Sequence, residues 1–122
     1  MSDAIWKRVR LEMIALILKG EFENGQIYGK TYSLTEMTQK FGCGKSTAQK
    51  VLDNMCDEKI LYGVKGIGYF VNYREKGLVE SLRKEYDEIM QCLLDEYISM
   101  GRKIGIDNRK FKEIVSGRLE TI

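Results

Sequence analysis

The chain has 122 residues, 43% hydrophobic and 31% charged, with a formal net charge of +2 and no histidine. That length suits one domain, or a small domain with an appendage, around a modest core; without histidine the Ser-His-Asp and Cys-His nucleophile pairs and the commonest metal ligand are gone, so no enzyme, cofactor or metal site is expected. No apolar run approaches the roughly 18 to 20 residues that cross a bilayer, and Met1-Ser2-Asp3-Ala4 passes at once into a charged amphipathic pattern instead of a signal core, so a cytoplasmic protein with no membrane partner is expected.

From Ile5 to Leu18 the apolar residues Ile5, Trp6, Val9, Met13, Leu16 and Ile17 recur at spacings of three and four, the stripe of an amphipathic helix. Gly20 ends it, Asn24-Gly25 marks a turn, and a loop runs to Tyr32. Ser33 is a good N-cap with Glu36 placed to complete a capping box, predicting a helix to about Lys40 with Leu34 and Met37 inward. After a tight turn at Phe41-Gly42, a second helix is predicted from Lys45 to Asp57. It turns Ala48, Val51, Leu52, Met55 and Cys56 inward and Lys45, Ser46, Gln49, Lys50 and Asp53 outward.

Ile60 to Val64 and Tyr69 to Tyr73 are rich in β-branched and aromatic residues and are joined by Lys65-Gly66-Ile67-Gly68, a hairpin signal. A long helix then runs from Gly77 to Met100. Its apolar positions Leu82, Tyr86, Ile89, Leu93, Tyr97 and Met100 repeat close to every 3.5 residues, and Gly101 and Gly105 are expected to break it. Asp107 caps a last helix in which Phe111, Ile114, Val115 and Leu119 share a face. With no proline, low-complexity tract or repeat, the two parts are expected to join without a flexible linker.

This order predicts a mainly α fold with a small β-hairpin wing: a winged helix-turn-helix over residues 1–74, followed by two C-terminal helices over residues 75–122. Such a unit can place one helix in the major groove of double-stranded DNA with the hairpin beside it. Residues 1–74 hold eleven Lys and Arg against eight Asp and Glu, whereas residues 75–122 hold nine against ten. Lys40, Lys45 and Lys50 fall in an acid-free window from Met37 to Leu52. In the second helix Lys45 and Lys50 suit phosphates or guanine, Ser46 and Thr47 suit phosphate or base edges, and Gln49 is of the type that pairs bidentately with adenine. In the hairpin Gly66 and Gly68 allow close backbone approach beside the charge of Lys65. A stripe repeating near 3.5 residues suits pairing with a copy of itself, which makes Leu82, Tyr86, Ile89, Leu93, Tyr97 and Met100 the expected homodimer seam.

The same residues resemble the GntR family of bacterial transcription regulators. The resemblance covers the first helix with its stop from Gly20 to Gly25, the capped helix from Ser33, the Phe41-Gly42 turn, the Lys45 to Leu52 helix, and Gly66-Ile67-Gly68-Tyr69-Phe70-Val71, similar to the family's wing ending. The short tail, with Met100-Gly101 and Ile104-Gly105-Ile106 before the last helix, looks like the small YtrA-type subgroup. It implies a homodimer made by the C-terminal helices, and with the residues above a repressor on a palindromic operator. Tyr32 stands where the family usually has proline, Thr35 where it has an arginine of the first helical turn, and Gly44-Lys45 where it has Ser-Arg. Ser33 and Thr35 then become the expected phosphate contacts at that helix start.

Other readings compete at single motifs. Gly42-Cys43-Gly44-Lys45-Ser46-Thr47 looks like the end of a P-loop, but that motif needs a glycine where Gln39 stands and a strand before it. Cys43, Cys56 and Cys92 are odd in number and far apart, which suits buried reduced thiols. Tyr86, Tyr97, Met90 and Met100 could line a pocket for a small-molecule effector, although such residues at helical spacing ordinarily pack. A winged-helix module that binds protein and not DNA is the alternative function.

Overall fold

The structure, a computed structural model, describes residues 2–122, with side chains from Ala4 onward; the reading of Met1 to Asp3 lies largely outside the described residues. It divides into two units, Met1–Tyr86 and Asp87–Ile122.

In the first unit, helix α1 spans Ser2–Lys19 and buries Val9, Met13, Ile14 and Ile17, while Ile5 stays exposed. Gly20 ends it in the left-handed region at φ 85°, and a 3-10 turn, Glu21–Glu23, carries Phe22 into the core. Helix α2 spans Leu34–Phe41 and stops at Gly42, again left-handed at φ 62°. Helix α3 spans Lys45–Asp57 and buries Ala48, Val51, Leu52 and Met55. Those side chains and the α1 stripe belong to one apolar cluster that also takes Met37 of α2.

Strands β1, Leu61–Val64, and β2, Gly68–Val71, pair antiparallel with Leu61 opposite Val71 and Val64 opposite Gly68. Ile60, Asn72 and Tyr73, expected inside the strands, fall outside them. The predicted loop to Tyr32 holds a further piece of sheet. Val71 N donates to Gly29 O and Thr31 N to Tyr69 O, each at 2.8 Å, and Lys30 forms a bridge with Phe70. A three-residue pairing has no periodicity to announce it, and what stabilises it is a hairpin 40 residues further along.

Helix α4 spans Leu78–Lys103, and its first turns contribute Leu78 and Leu82 to the core of this unit. Arg10 of α1, with only 12% of its side chain exposed, donates to Asn54 Oδ1 at 2.7 Å and Glu58 Oε1 at 2.6 Å and forms an ion pair with Glu85. One guanidinium fork thereby fastens α1, the end of α3 and the start of α4.

In the second unit, α4 continues to Lys103 and helix α5 spans Asn108–Thr121. Asp107 is the N-cap, accepting from Lys110 N at 2.9 Å. The expectation that Gly101 breaks α4 is corrected: the helix runs through it and ends only near Gly105, which is left-handed at φ 85°. Gly101 serves packing. A Cβ there would stand 2.5 Å from Cε1 and Cζ of Phe111, whose ring is the main buried side chain of α5.

Candidate nucleic-acid interface

Helix α2 begins with a complete capping box. Glu36 N donates to Ser33 Oγ at 3.1 Å and Ser33 N to Glu36 Oε1 at 2.8 Å. The Ser33 hydroxyl thus accepts one hydrogen bond and keeps its own proton to donate, and the Glu36 carboxylate places a negative charge at the same helix start. Thr35 is exposed at the same helix start.

The start of α3 is chemically different. Its N-cap, Gly44, is extended and has no side chain to cap the first N–H groups, and no acidic residue lies in the first turn. The positive end of the helix is left open to an anion, with Lys45 and Ser46 exposed around it. Thr47 is half-buried. Lys50, one turn on, is exposed and holds its Nζ over the Trp6 ring at 5.1 Å. Lys40 of α2 sits 5.7 Å over the Tyr32 ring. Both contacts steady a lysine while leaving its charge near the surface.

Gln49 was expected simply to face out. It is half-buried, its Nε2 donating to Asp53 Oδ1 at 2.8 Å and lying 3.4 Å from the Tyr69 hydroxyl of β2. This tie between α3 and the wing is invisible in sequence because Tyr69 is twenty positions away and reads there as a strand residue.

In the wing, Lys65, Gly66 and Ile67 form the exposed tip, closed by Ile67 N donating to Val64 O at 2.9 Å. Gly66 and Gly68 have φ of 81° and 141°, which explains glycine at both positions. The Lys30 side chain lies beside Gly68, its Cε 3.5 Å from where a Cβ would be. A second cation therefore joins Lys65 at the hairpin. Its position in an apparent loop concealed it.

The expected dimer residues separate into two kinds. Leu82 is 2% exposed within the core of the first unit, so it is corrected from seam to core, and Tyr86 packs against the same core. Ile89 is half-buried, whereas Leu93, Tyr97 and Met100 are exposed, together with Val115 and Leu119 of α5. Tyr97, Ile114, Val115 and Leu119 line an open apolar groove. The cysteine expectation is likewise corrected for Cys92, which is exposed, while Cys43 and Cys56 are half-buried and all three are free. Among the described residues no group of three or more His, Cys, Asp or Glu is placed to hold a metal, and no helix is long and apolar enough to cross a membrane.

A solved GntR family transcriptional regulator from Listeria monocytogenes superposes with a TM-score of 0.66 at 26% identity, the match covering 93% of each chain. The chain has the fold of GntR family regulators. A transcriptional regulator from Oenococcus oeni matches with a TM-score of 0.55 and 19% identity over 91% of this chain and 90% of its own. No protein-family model matches the sequence, and no curated protein does. Both solved neighbours are transcriptional regulators, and the match to each covers more than nine-tenths of this chain.

Proposed function

We propose that the chain is a DNA-binding transcription regulator that acts in the cytoplasm as a homodimer, repressing transcription from a palindromic operator. The observation carrying this reading is the exposed start of α3. Lys45 and Ser46 surround an uncapped, acid-free helix end, on a helix tied through Gln49 to Tyr69 of a hairpin that bears Lys65 and has the Lys30 side chain beside it, in a fold similar to that of a GntR family regulator. Lys45, Ser46, Thr47, Gln49 and Lys50 enter the major groove; Lys65, Gly66 and Gly68 follow the adjacent backbone or minor groove; Ser33 and Thr35 meet a phosphate at the start of α2. Ile89, Leu93, Tyr97 and Met100, joined by Leu119, make the homodimer seam, and the short two-helix tail supports placing the chain in the YtrA-like subgroup.

Phosphate neutralisation supplies much of the affinity, so the logarithm of the binding constant falls with the logarithm of salt by about 0.9 per phosphate neutralised. Lys45→Ala should weaken binding to all duplexes alike and reduce that slope by about one. Fluorescence anisotropy titrations over a salt series measure both quantities. A wild-type chain with no salt-dependent duplex binding at low ionic strength would instead be a protein-interaction module.

A further inference from the structure

Gln49 holds information about base preference that its residue type conceals. A glutamine amide offers two N–H donors on Nε2 and two lone pairs on Oε1. Here Nε2 donates to Asp53 Oδ1 at 2.8 Å and faces the Tyr69 hydroxyl at 3.4 Å. An ionised carboxylate only accepts, so the nitrogen and not the oxygen must lie toward Asp53. The bond is charge-assisted and spans one helical turn, the spacing at which side chains on a helix meet. Among the described residues nothing donates to Oε1.

We propose that Gln49 reads DNA as an acceptor only. Its Oε1 takes a hydrogen bond from the exocyclic amino group of adenine (N6) or cytosine (N4), and it turns away guanine O6 and thymine O4, which are themselves acceptors. The result is discrimination between amino and keto bases on one strand, with adenine and cytosine both admitted. A glutamine pairing bidentately with adenine must also donate from Nε2 to N7, and in this chain that donor is already held by Asp53 and Tyr69. Asp53 and Tyr69 are positioning residues, and the tyrosine makes base preference depend on where the wing stands relative to α3. The inference rests on the reading of α3 as the recognition helix.

Selection of duplexes from a randomised pool by the full chain, followed by sequencing, tests it. The wild type should show one position per half-site at which adenine and cytosine are both enriched about fivefold over guanine and thymine, as one hydrogen bond allows. Asp53→Ala frees Nε2 and should raise adenine over cytosine at that position by about tenfold. Tyr69→Phe should move it the same way by less, and Gln49→Ala should level all four bases. Asp57→Ala, which removes a carboxylate elsewhere on the same helix, controls for charge: affinity changes and the profile does not. A wild type that selects adenine alone, or variants at both Asp53 and Tyr69 whose profiles superimpose on the wild type, overturns the inference while leaving DNA binding intact. Absence of salt-dependent binding to any duplex overturns the recognition-helix reading itself, and this inference with it.

Discussion

Tyr73 is half-buried, its ring 5.1 Å from that of Tyr28, and its hydroxyl is closed off from solvent with no hydrogen-bond partner among the described residues. Burial first, then the nearby Glu23 carboxylate and Tyr28, push this hydroxyl up to about 12. An unfolded tyrosine titrates near 10, roughly the ordinary value. The fold therefore favours the neutral phenol: the stability this represents is complete below the unfolded value and is lost as pH rises through about 12. Tyr73→Phe removes a buried group that lacks a partner, so it should be neutral or stabilising by up to about 1 kcal/mol at pH 7. It should also flatten the alkaline fall in stability that urea melts of the wild type are expected to show between neutral pH and pH ~11. An identical fall in the two proteins would place the alkaline-labile group elsewhere. Arg10 is the opposite case, a buried cation with Asn54, Glu58 and Glu85 all facing it. Nothing in the local sequence marks it, because its partners lie 44 to 75 positions away.

At the scale of elements, helix ends were legible because they are made by neighbours in sequence. The Ser33–Glu36 box, the Gly42 stop and the Asp107 cap each involve groups within three residues, and all three stand where their residue types predict. Gly101 was misread for the complementary reason. A glycine inside a helix costs about 1 kcal/mol relative to alanine, so propensity alone treats it as a breaker and makes Gly101→Ala stabilising. The Phe111 ring reverses that sign. It stands 2.5 Å from the added Cβ, with Tyr97 and Arg102 also against it, and overpacking of this kind costs roughly 1–3 kcal/mol. Gly101→Ala should therefore destabilise the second unit by about 1 kcal/mol net, and adding Phe111→Leu should recover most of the loss. Thermal melts of the single and double variants check the pair; a stabilised Gly101→Ala would mean that the ring moves aside freely.

For the whole molecule, the proposed palindromic operator, with two half-sites about one duplex turn, roughly 34 Å, apart, requires two recognition helices in one assembly. Leu93 is 60% and Leu119 71% exposed, so charging them removes no core side chain from the folded chain. Leu93→Asp combined with Leu119→Asp should give a folded monomer by sedimentation equilibrium. Affinity for a two-half-site duplex should fall about a hundredfold, while a single half-site is bound as before. A dimer that persists in this variant would move the seam elsewhere.

Periodicity, caps and turn glycines act over a few residues and are written in the order of the chain, so the sequence alone determined the succession of helices, the hairpin and the basic outer face of α3. Tertiary structure decided everything that depends on distant partners: the pairing of Gly29–Thr31 with β2, the burial of Leu82, the continuity of α4 through Gly101, and the hold of Asp53 and Tyr69 on Gln49. The physical reason is common to all four. A hydrogen bond or a steric contact is set by where two groups meet in space, and a linear pattern records that meeting only when the groups are neighbours along the chain.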